Sequence, residues 1–333
     1  MPVLDILVRI WAVAVIIGAS IPFIREQTWW LRAWTYSRLQ MLAICCVTAG
    51  LFYFAPGLET LWDKAIWAAL LLSAIGCLKD VLPFTKFGRK QTPDYDPNQQ
   101  NKSVHLFVGN VLMENEAFEA YLSQIKSCAP DIIFLVETNE IWRKKLSGLE
   151  DEYPHTYVLP LPDFNGMLFY SRYPILDVSE RYLVQDHIPS LTIDLDIGLH
   201  EPLRFYGVHP RPPRPEDDTA DLDKELQFIA NEVGHLAMPV IVTGDLNDVG
   251  WSSTTKQFMR VSGLLDPRHG RGLFNSYNAK NSIVRWPLDH VFHSKHFSLI
   301  DMKRLDACGS DHFPLSVHLA LYTPSSHDLS AAS

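Results

Sequence analysis

Pro239-Val240-Ile241-Val242-Thr243-Gly244-Asp245-Leu246-Asn247 is an apolar run that ends at a glycine and hands over two polar side chains, Asp245 and Asn247. A short run this rich in β-branched residues predicts a strand covered on both faces. Polar groups just past such a strand lie where a rigid sheet presents its functional loops.

The same layout recurs on either side. Strands are predicted at 104–108, 132–136, 167–170, 191–195, 203–208, 288–292 and 315–319. Phe118, Tyr121, Leu122 and Ile125 fall at i, i+3, i+4 and i+7, so 116–127 reads as an amphipathic helix. Leu222, Leu226, Ile229 and Val233 mark a second. Many strands with few helices predict an α+β fold, two sheets packed as a sandwich with helices outside.

Chemistry-bearing side chains gather at the strand ends. Asn110 follows the first strand, Glu137 ends the second, and His209 ends another. Asp289 sits in the 288–292 strand, and Asp311-His312 precede the last. Ionisable groups beside a core must be paired or metal-bound. Carboxylates and an amide oxygen are hard ligands, suited to Mg²⁺ or Mn²⁺ rather than zinc. Imidazoles can donate to phosphate oxygens or protonate a leaving group, and an Asp beside a His fixes its tautomer. Such parts serve metal-assisted attack of water on a phosphate ester.

In order, Asn110, Ile133-Phe134-Leu135-Val136-Glu137, Gly166-Met167-Leu168-Phe169-Tyr170-Ser171-Arg172-Tyr173-Pro174, His209, Gly244-Asp245-Leu246-Asn247, Leu288-Asp289-His290-Val291 and Ser310-Asp311-His312-Phe313-Pro314-Leu315 form a motif series. It resembles that of the endonuclease/exonuclease/phosphatase superfamily, which includes pancreatic-type deoxyribonucleases, abasic-site endonucleases, sphingomyelinases and inositol-polyphosphate 5-phosphatases. The resemblance spans about residues 104–320 and implies a four-layer α/β/β/α sandwich with the site at one edge of the two sheets. It also implies roles. Glu137 resembles the principal metal ligand, with Asn110 and Asp311 near the cation directly or through water. Asp245 resembles the acid that orients or deprotonates the attacking water, and Asn247 the amide holding a phosphate oxygen. Asp289 resembles the partner that orients His312 against the phosphoryl group, and His209 a phosphate contact or general acid. Asn165 falls where some members support that histidine. The identity of the base, and one metal or two, stay open.

Two departures bear on substrate. Val111 and Leu112 follow Asn110, where some nucleases of the family carry an acidic residue. His209 leads into Pro210-Arg211-Pro212-Pro213-Arg214-Pro215, a stiff polyproline-like stretch. Its Arg211 and Arg214 read either as a clamp for a second anionic group or as solvated loop arginines.

The first quarter of the chain differs in kind. Apolar runs at 10–24, 39–55 and 65–78, with their flanks, approach the roughly 20 residues that cross about 30 Å of hydrocarbon as a helix. Three transmembrane helices over 1–84 are therefore expected, anchored in membrane lipid. A cleaved secretory signal explains less: Asp5 leaves Arg9 as the lone basic residue of its start, and two apolar runs remain. Trp29, Trp30, Trp34 and Tyr36 among Arg25, Arg32 and Arg38 read as an interfacial belt. The basic segments 25–38 and 79–90 fall on one side of a three-span anchor, which the positive-inside rule places in the cytoplasm. A periplasmic or extracellular placement is the alternative.

Residues 85–103 are polar and read as a flexible linker, 104–321 as the catalytic domain, and 322–333 as a disordered tail. Of five cysteines, Cys45, Cys46 and Cys77 lie in the apolar runs, and a single Cys128–Cys308 bridge stays open. With 29 basic against 38 acidic side chains the chain carries −9, so a uniformly basic nucleic-acid binder is disfavoured. The expectation is a membrane-anchored, Mg²⁺- or Mn²⁺-dependent phosphoesterase whose substrate is nucleic acid or a lipid or small phosphoester. The alternative is a catalytically inactive scaffold that binds phosphorylated ligands.

Overall fold

The computed structural model describes residues 3–23, 29–98, 102–212 and 220–321. Two compact units emerge, one holding the apolar helices up to Arg89 and one beginning at Lys90.

The first unit contains α1 (Val3–Ser20), α2 (Trp29–Tyr36), α3 (Arg38–Phe54) and α4 (Leu61–Val81). Two helices, Val3–Phe23 and Leu61–Phe84, are long and apolar enough to cross a membrane. A third span results if α2 and α3, bent by 74°, count as one. Thr60 starts α4 with a capping box: Asp63 N donates to Thr60 Oγ1 and Thr60 N to Asp63 Oδ2, both at 3.1 Å. Polar side chains then tie the helices together. Arg9 Nε donates to Asp63 Oδ1 at 2.7 Å, and Trp11 Nε1 donates to Thr48 Oγ1 at 3.1 Å. Arg38, read as part of an interfacial belt, turns inward instead, with Nε 3.0 Å from Asp80 and Nη1 donating to Ala19 O at 2.9 Å. A charge among apolar helices is costly unless paired, and Asp80 supplies the pair.

The second unit contains β1 (Lys102–Asn110), α5 (Phe118–Cys128), β2 (Ile132–Val136), α6 (Glu140–Leu146), β3 (His155–Leu159), β4 (Met167–Ser171), β5 (Ile175–Arg181), β6 (Ser190–Leu195) and β7 (Leu203–Gly207). It continues with α7 (Ala220–Val233), β8 (Val240–Asp245), α8 (Ser253–Ser262), β9 (Asp289–His293), β10 (Phe297–Arg304) and β11 (Leu315–Leu321). One sheet has the order β10-β11-β1-β2-β4-β3 and the other β5-β6-β7-β8-β9. Pairing is parallel for β1–β2 and β7–β8 and antiparallel elsewhere.

Alternation along the strands builds the layers. Leu106, Val108, Phe134 and Phe169 face Leu191, Ile193, Phe205 and Ile241 in the core between the sheets. Their neighbours Phe107, Ile133, Leu135 and Leu168 point outward onto Tyr121, Ile125, Trp142 and Leu146 of α5 and α6. On the far side Tyr206, Val240, Val242 and Phe292 pack against Leu222, Leu226 and Ile229 of α7 and Phe258 of α8. The result is the four-layer α/β/β/α sandwich. Because both faces of each sheet are covered, the central strands read as continuous apolar runs.

Residues 91–95, inside the stretch read as a flexible linker, lie along the outer edge of β10. Tyr95 N donates to Leu299 O at 2.9 Å and Leu299 N to Pro93 O at 2.8 Å. Thr92 Oγ1 lies 2.7 Å from His293 Nε2, and Arg271 Nη2 donates to Thr92 O at 2.7 Å and Asp94 Oδ1 at 2.6 Å. A sheet edge offers backbone partners to any sequence, so a polar composition does not prevent docking there. The expected tail at 322–333 lies outside the described residues.

Candidate active site

Adjacent strand ends bring the chemistry together at one edge of the sandwich. β1 and β2 are parallel and in register at Asn110 and Val136, so Asn110 and Glu137 emerge side by side. In the second sheet β7 and β8 are parallel and bring the 208–209 segment beside Gly244 and Asp245, while Asp245 pairs with Asp289 across β8–β9.

Gly244 is required at this junction. Its φ is +144°, and a Cβ there would sit 1.9 Å from Val208 O. Glu137 (φ 58°) and Asn247 (φ 51°) adopt the left-handed region without being glycine. Such backbone conformations cost of order 1–3 kcal/mol each and cluster at functional sites.

Asn110 Nδ2 donates to Glu137 Oε1 at 2.7 Å and Asp245 Oδ2 at 3.0 Å, while its Oδ1 accepts from Leu112 N at 3.0 Å. The amide therefore bridges two carboxylates here, with its oxygen turned to the backbone. Tyr121 OH and Ser310 Oγ both donate to Asn110 O, at 2.9 and 2.8 Å, fixing the end of β1. His209 Nε2 lies 3.8 Å from Glu137 Oε1 and 4.0 Å from Asp245 Oδ2. Neither ring nitrogen reaches a hydrogen-bonding geometry with a described residue, although the backbone of Phe164 approaches. His312 Nδ1 is 2.7 Å from Asp289 Oδ2, and its Nε2 is 3.5 Å from Asp245 Oδ2.

Burial sets the charge states. It pushes the Glu137 carboxyl up, and that of Asp245 up to about 6. It pushes His209 down, favouring the neutral ring. Burial also opposes charge on His312, but Asp289 and then Asp245 outweigh it and raise the imidazole to about 10. Asp289 is held below its ordinary value because His312 overcomes the cost of burial. At neutral pH the Asp289–His312 pair is ionised, and Asp245 is mostly ionised despite its burial.

Glu137, His209 and Asp245 offer ligand atoms within 4.8 Å of one another, as do Asp245, Asp289 and His312. A buried imidazole and two carboxylates that do not hydrogen-bond one another form a donor set that fits a bound cation. Asp311 is half-buried at the rim, where its charge helps raise Glu137 and His312. Asn247 N donates to Asp245 Oδ1 at 2.9 Å, and its Nδ2 donates to Pro210 O at 3.0 Å. Asn165 is 7% exposed and makes no hydrogen bond to His209. Arg211 Nη2 lies 2.6 Å from His187 Nε2, and Arg214 lies outside the described residues.

Other residues carried no sequence signal. Tyr277 places its ring 5.0 Å from that of His312, with Trp286 stacked behind it at 5.9 Å. Arg285 and Arg304 lie 5.0 and 4.2 Å from the ring centre of Phe313, the residue after His312. Ser276 Oγ accepts from Asp289 N at 3.0 Å, and Ser310 Oγ from His312 N at 2.9 Å. Of these, Ser310 and Phe313 fall within the motif series. All five cysteines are free thiols, Cys128 and Cys308 included.

Carboxylates and imidazoles at the joined edge of a two-sheet sandwich define a metal-dependent phosphoester hydrolase. Residues 109–312 match the Endonuclease/Exonuclease/phosphatase family, and the chain belongs to it. Among solved structures it resembles TDP2 from D. rerio complexed with single strand DNA product, at 14% identity and TM-score 0.53, covering 66% of this chain and 99% of that one. A family protein from Bacteroides thetaiotaomicron is 16% identical, with TM-score 0.53 and coverage of 68% and 100%. One from Beutenbergia cavernae is 17% identical, with TM-score 0.52 and coverage of 66% and 72%. No curated protein matches the chain.

Proposed function

We propose that this protein is a membrane-anchored phosphodiesterase that uses Mg²⁺ or Mn²⁺ to hydrolyse a phosphoester presented at the bilayer surface. The observation that carries the reading is the sharing of Asp245 by two groups, one with Glu137 and His209, the other with Asp289 and His312.

Glu137 and Asp245 are the oxygen donors for the cation, with His209 beside them and Asp311 at the rim. When bound, the cation supplies positive charge against a phosphate oxygen. Asp245 accepts the proton of the attacking water as general base. Its Oδ1 is steadied by Asn247 N and its Oδ2 by Asn110, so the base cannot rotate away. His312, held charged and oriented by Asp289, donates to a second phosphate oxygen as negative charge accumulates there. His209, neutral through burial, contacts the phosphoryl group and donates a hydrogen bond from its ring N–H to the leaving oxygen, which takes its proton from solvent. Asn165 and Arg211 border this leaving side and contact the rest of the substrate.

A lipid or lipid-linked phosphoester is favoured over long nucleic acid for two reasons. Tethering raises the local concentration of a substrate that lives in the same bilayer. The soluble part carries a net charge of roughly −10, whereas phosphate-backbone binding needs a cationic track. The positive-inside count places the catalytic domain on the cytoplasmic side, testable with a reporter fused after Leu321.

The experiment uses the full chain in detergent with Mg²⁺ or Mn²⁺ and bis-p-nitrophenyl phosphate, then phospholipid vesicles against plasmid DNA. Turnover that is lost in folded Glu137→Ala and His312→Ala supports the enzyme. Faster turnover on plasmid than on vesicles would reassign the substrate to nucleic acid. No turnover on any phosphoester leaves the scaffold reading.

A further inference from the structure

Behind the strand ends lies a charged side chain that no step above uses. Arg268 is 1% exposed, in the connection between α8 and β9. Asp266 neutralises it in a forked pair, with Nε to Oδ1 at 3.0 Å and Nη2 to Oδ2 at 2.7 Å. A pair of this kind would suffice to bury the arginine, but the guanidinium does more. Nη1 donates to Asp289 O at 3.2 Å, and Nη2 donates to His290 Nδ1 at 2.5 Å. His290, fully buried, places Nε2 2.8 Å from Asp248 O.

These contacts fix a tautomer. A guanidinium has only donors, so His290 Nδ1 must be the acceptor; a carbonyl only accepts, so Nε2 must carry the hydrogen. Arg268, His290 and the Asp248 carbonyl therefore form a directed chain of donors and acceptors. At one end Arg268 grips the backbone of Asp289, which orients His312. At the other end lies the 245–248 turn, which carries Asp245 and Asn247. Asp245 and Asp289 already pair across β8–β9, but that ladder fixes their backbones only up to the strand ends. The connection through Arg268 ties the start of β9, at Asp289 O and His290, to the 248 end of that turn.

We propose that Arg268 is a positioning residue that, through His290, holds the Asp289–His312 pair and the Asp245–Asn247 turn at their working separation. The proposal rests on the phosphodiesterase reading, because it concerns the alignment of a base with a charged donor across one phosphoryl group. Groups that orient the residues of a metal site typically contribute about 10–100-fold to affinity or activity. Misalignment of two groups that meet only in the transition state lowers kcat and leaves KM in place.

The test compares His290→Gln with His290→Leu in the full chain in detergent, with Mn²⁺ and bis-p-nitrophenyl phosphate. A glutamine amide presents an acceptor oxygen to Arg268 and a donor nitrogen to Asp248 O, so it restores the chain; leucine fills the space and cannot. The expected result is kcat within about threefold of wild type for His290→Gln and a loss of about 10–100-fold for His290→Leu, with KM moving less than about threefold. Arg268→Lys, which keeps the charge beside Asp266 and loses the fork, should lose kcat likewise if His290→Leu does not fold. Imidazole ¹⁵N spectra of the cation-free protein should contain one ring, absent in His290→Gln, with bare Nδ1 and protonated Nε2. Equal kcat for the glutamine and leucine variants, a loss carried by KM, or the opposite tautomer would overturn the proposal while leaving the enzyme reading intact. A wild-type chain inert towards every phosphodiester would instead remove both.

Discussion

Asp289 pairs with Asp245 across the β8–β9 ladder, and its carboxylate meets His312 Nδ1 at 2.7 Å. Two buried acids on one ladder rung thus differ in charge behaviour: Asp289 is held below its ordinary value by His312, whereas burial raises Asp245 to about 6.

Asp289→Asn keeps the shape and removes the charge that supports His312. Activity on bis-p-nitrophenyl phosphate should fall by about 10²-fold or more. In the imidazole ¹⁵N spectrum His312 should titrate at lower pH than in wild type. An unchanged rate with folded protein would remove His312 from its assigned role.

Acid stability should report the Asp266–Arg268 pair. Asp266 is held down to about 2: burial opposes its charge and Arg268 outweighs burial. Its folded value lies below the unfolded one, so its contribution is present above pH of about 4 and is lost as pH falls towards about 2. A shift of that size corresponds to about 2 kcal/mol. Asp266→Asn should flatten the acid limb of the stability curve and cost about 3–5 kcal/mol at pH 7, because it leaves a buried guanidinium unpaired. Urea unfolding across pH measures both effects.

Glu225 on α7 gives the opposite sign. Burial alone pushes its carboxyl up to about 8, and Oε1 has no hydrogen-bond partner among the described residues. Stability held below pH of about 4.5 is lost as pH rises through about 8. Glu225→Gln should therefore stabilise the protein at pH 8 and make little difference at pH 4. Thermal unfolding at the two pH values is the check; a stabilisation that does not change with pH would contradict it.

Thr92 tests the docked segment. Replacing it with Val removes the partner of buried His293 Nε2, at a cost of about 1–3 kcal/mol, and should speed proteolytic cleavage near residues 91–95. Unaltered cleavage would show that the segment is not held to β10.

The sequence revealed what depends on local pattern. Fully covered strands are continuous apolar runs, so 132–136 and 240–243 stand out, and Glu137, Asp245 and Asn247 follow them directly. It was silent where burial is partial: β3 and β5 carry half-exposed patterns that resemble loops. Pairing across distance was equally hidden. Nothing near Asp266-Pro267-Arg268 indicates that its guanidinium reaches Asp289 O and His290, and nothing in 91–95 signals a sheet edge. Arg38 looked interfacial because Asp80, which draws it inward, lies a whole helix away in sequence.

The proposed function requires Glu137 and Asp245, with His209 beside them, to hold one divalent cation. Titration of the metal-stripped full chain with Mn²⁺, followed by its electron paramagnetic resonance signal, measures this directly. Wild type should show a saturable site that weakens by about 10-fold or more in Glu137→Gln, together with hydrolysis. Mn²⁺ binding that is the same in both proteins would contradict it.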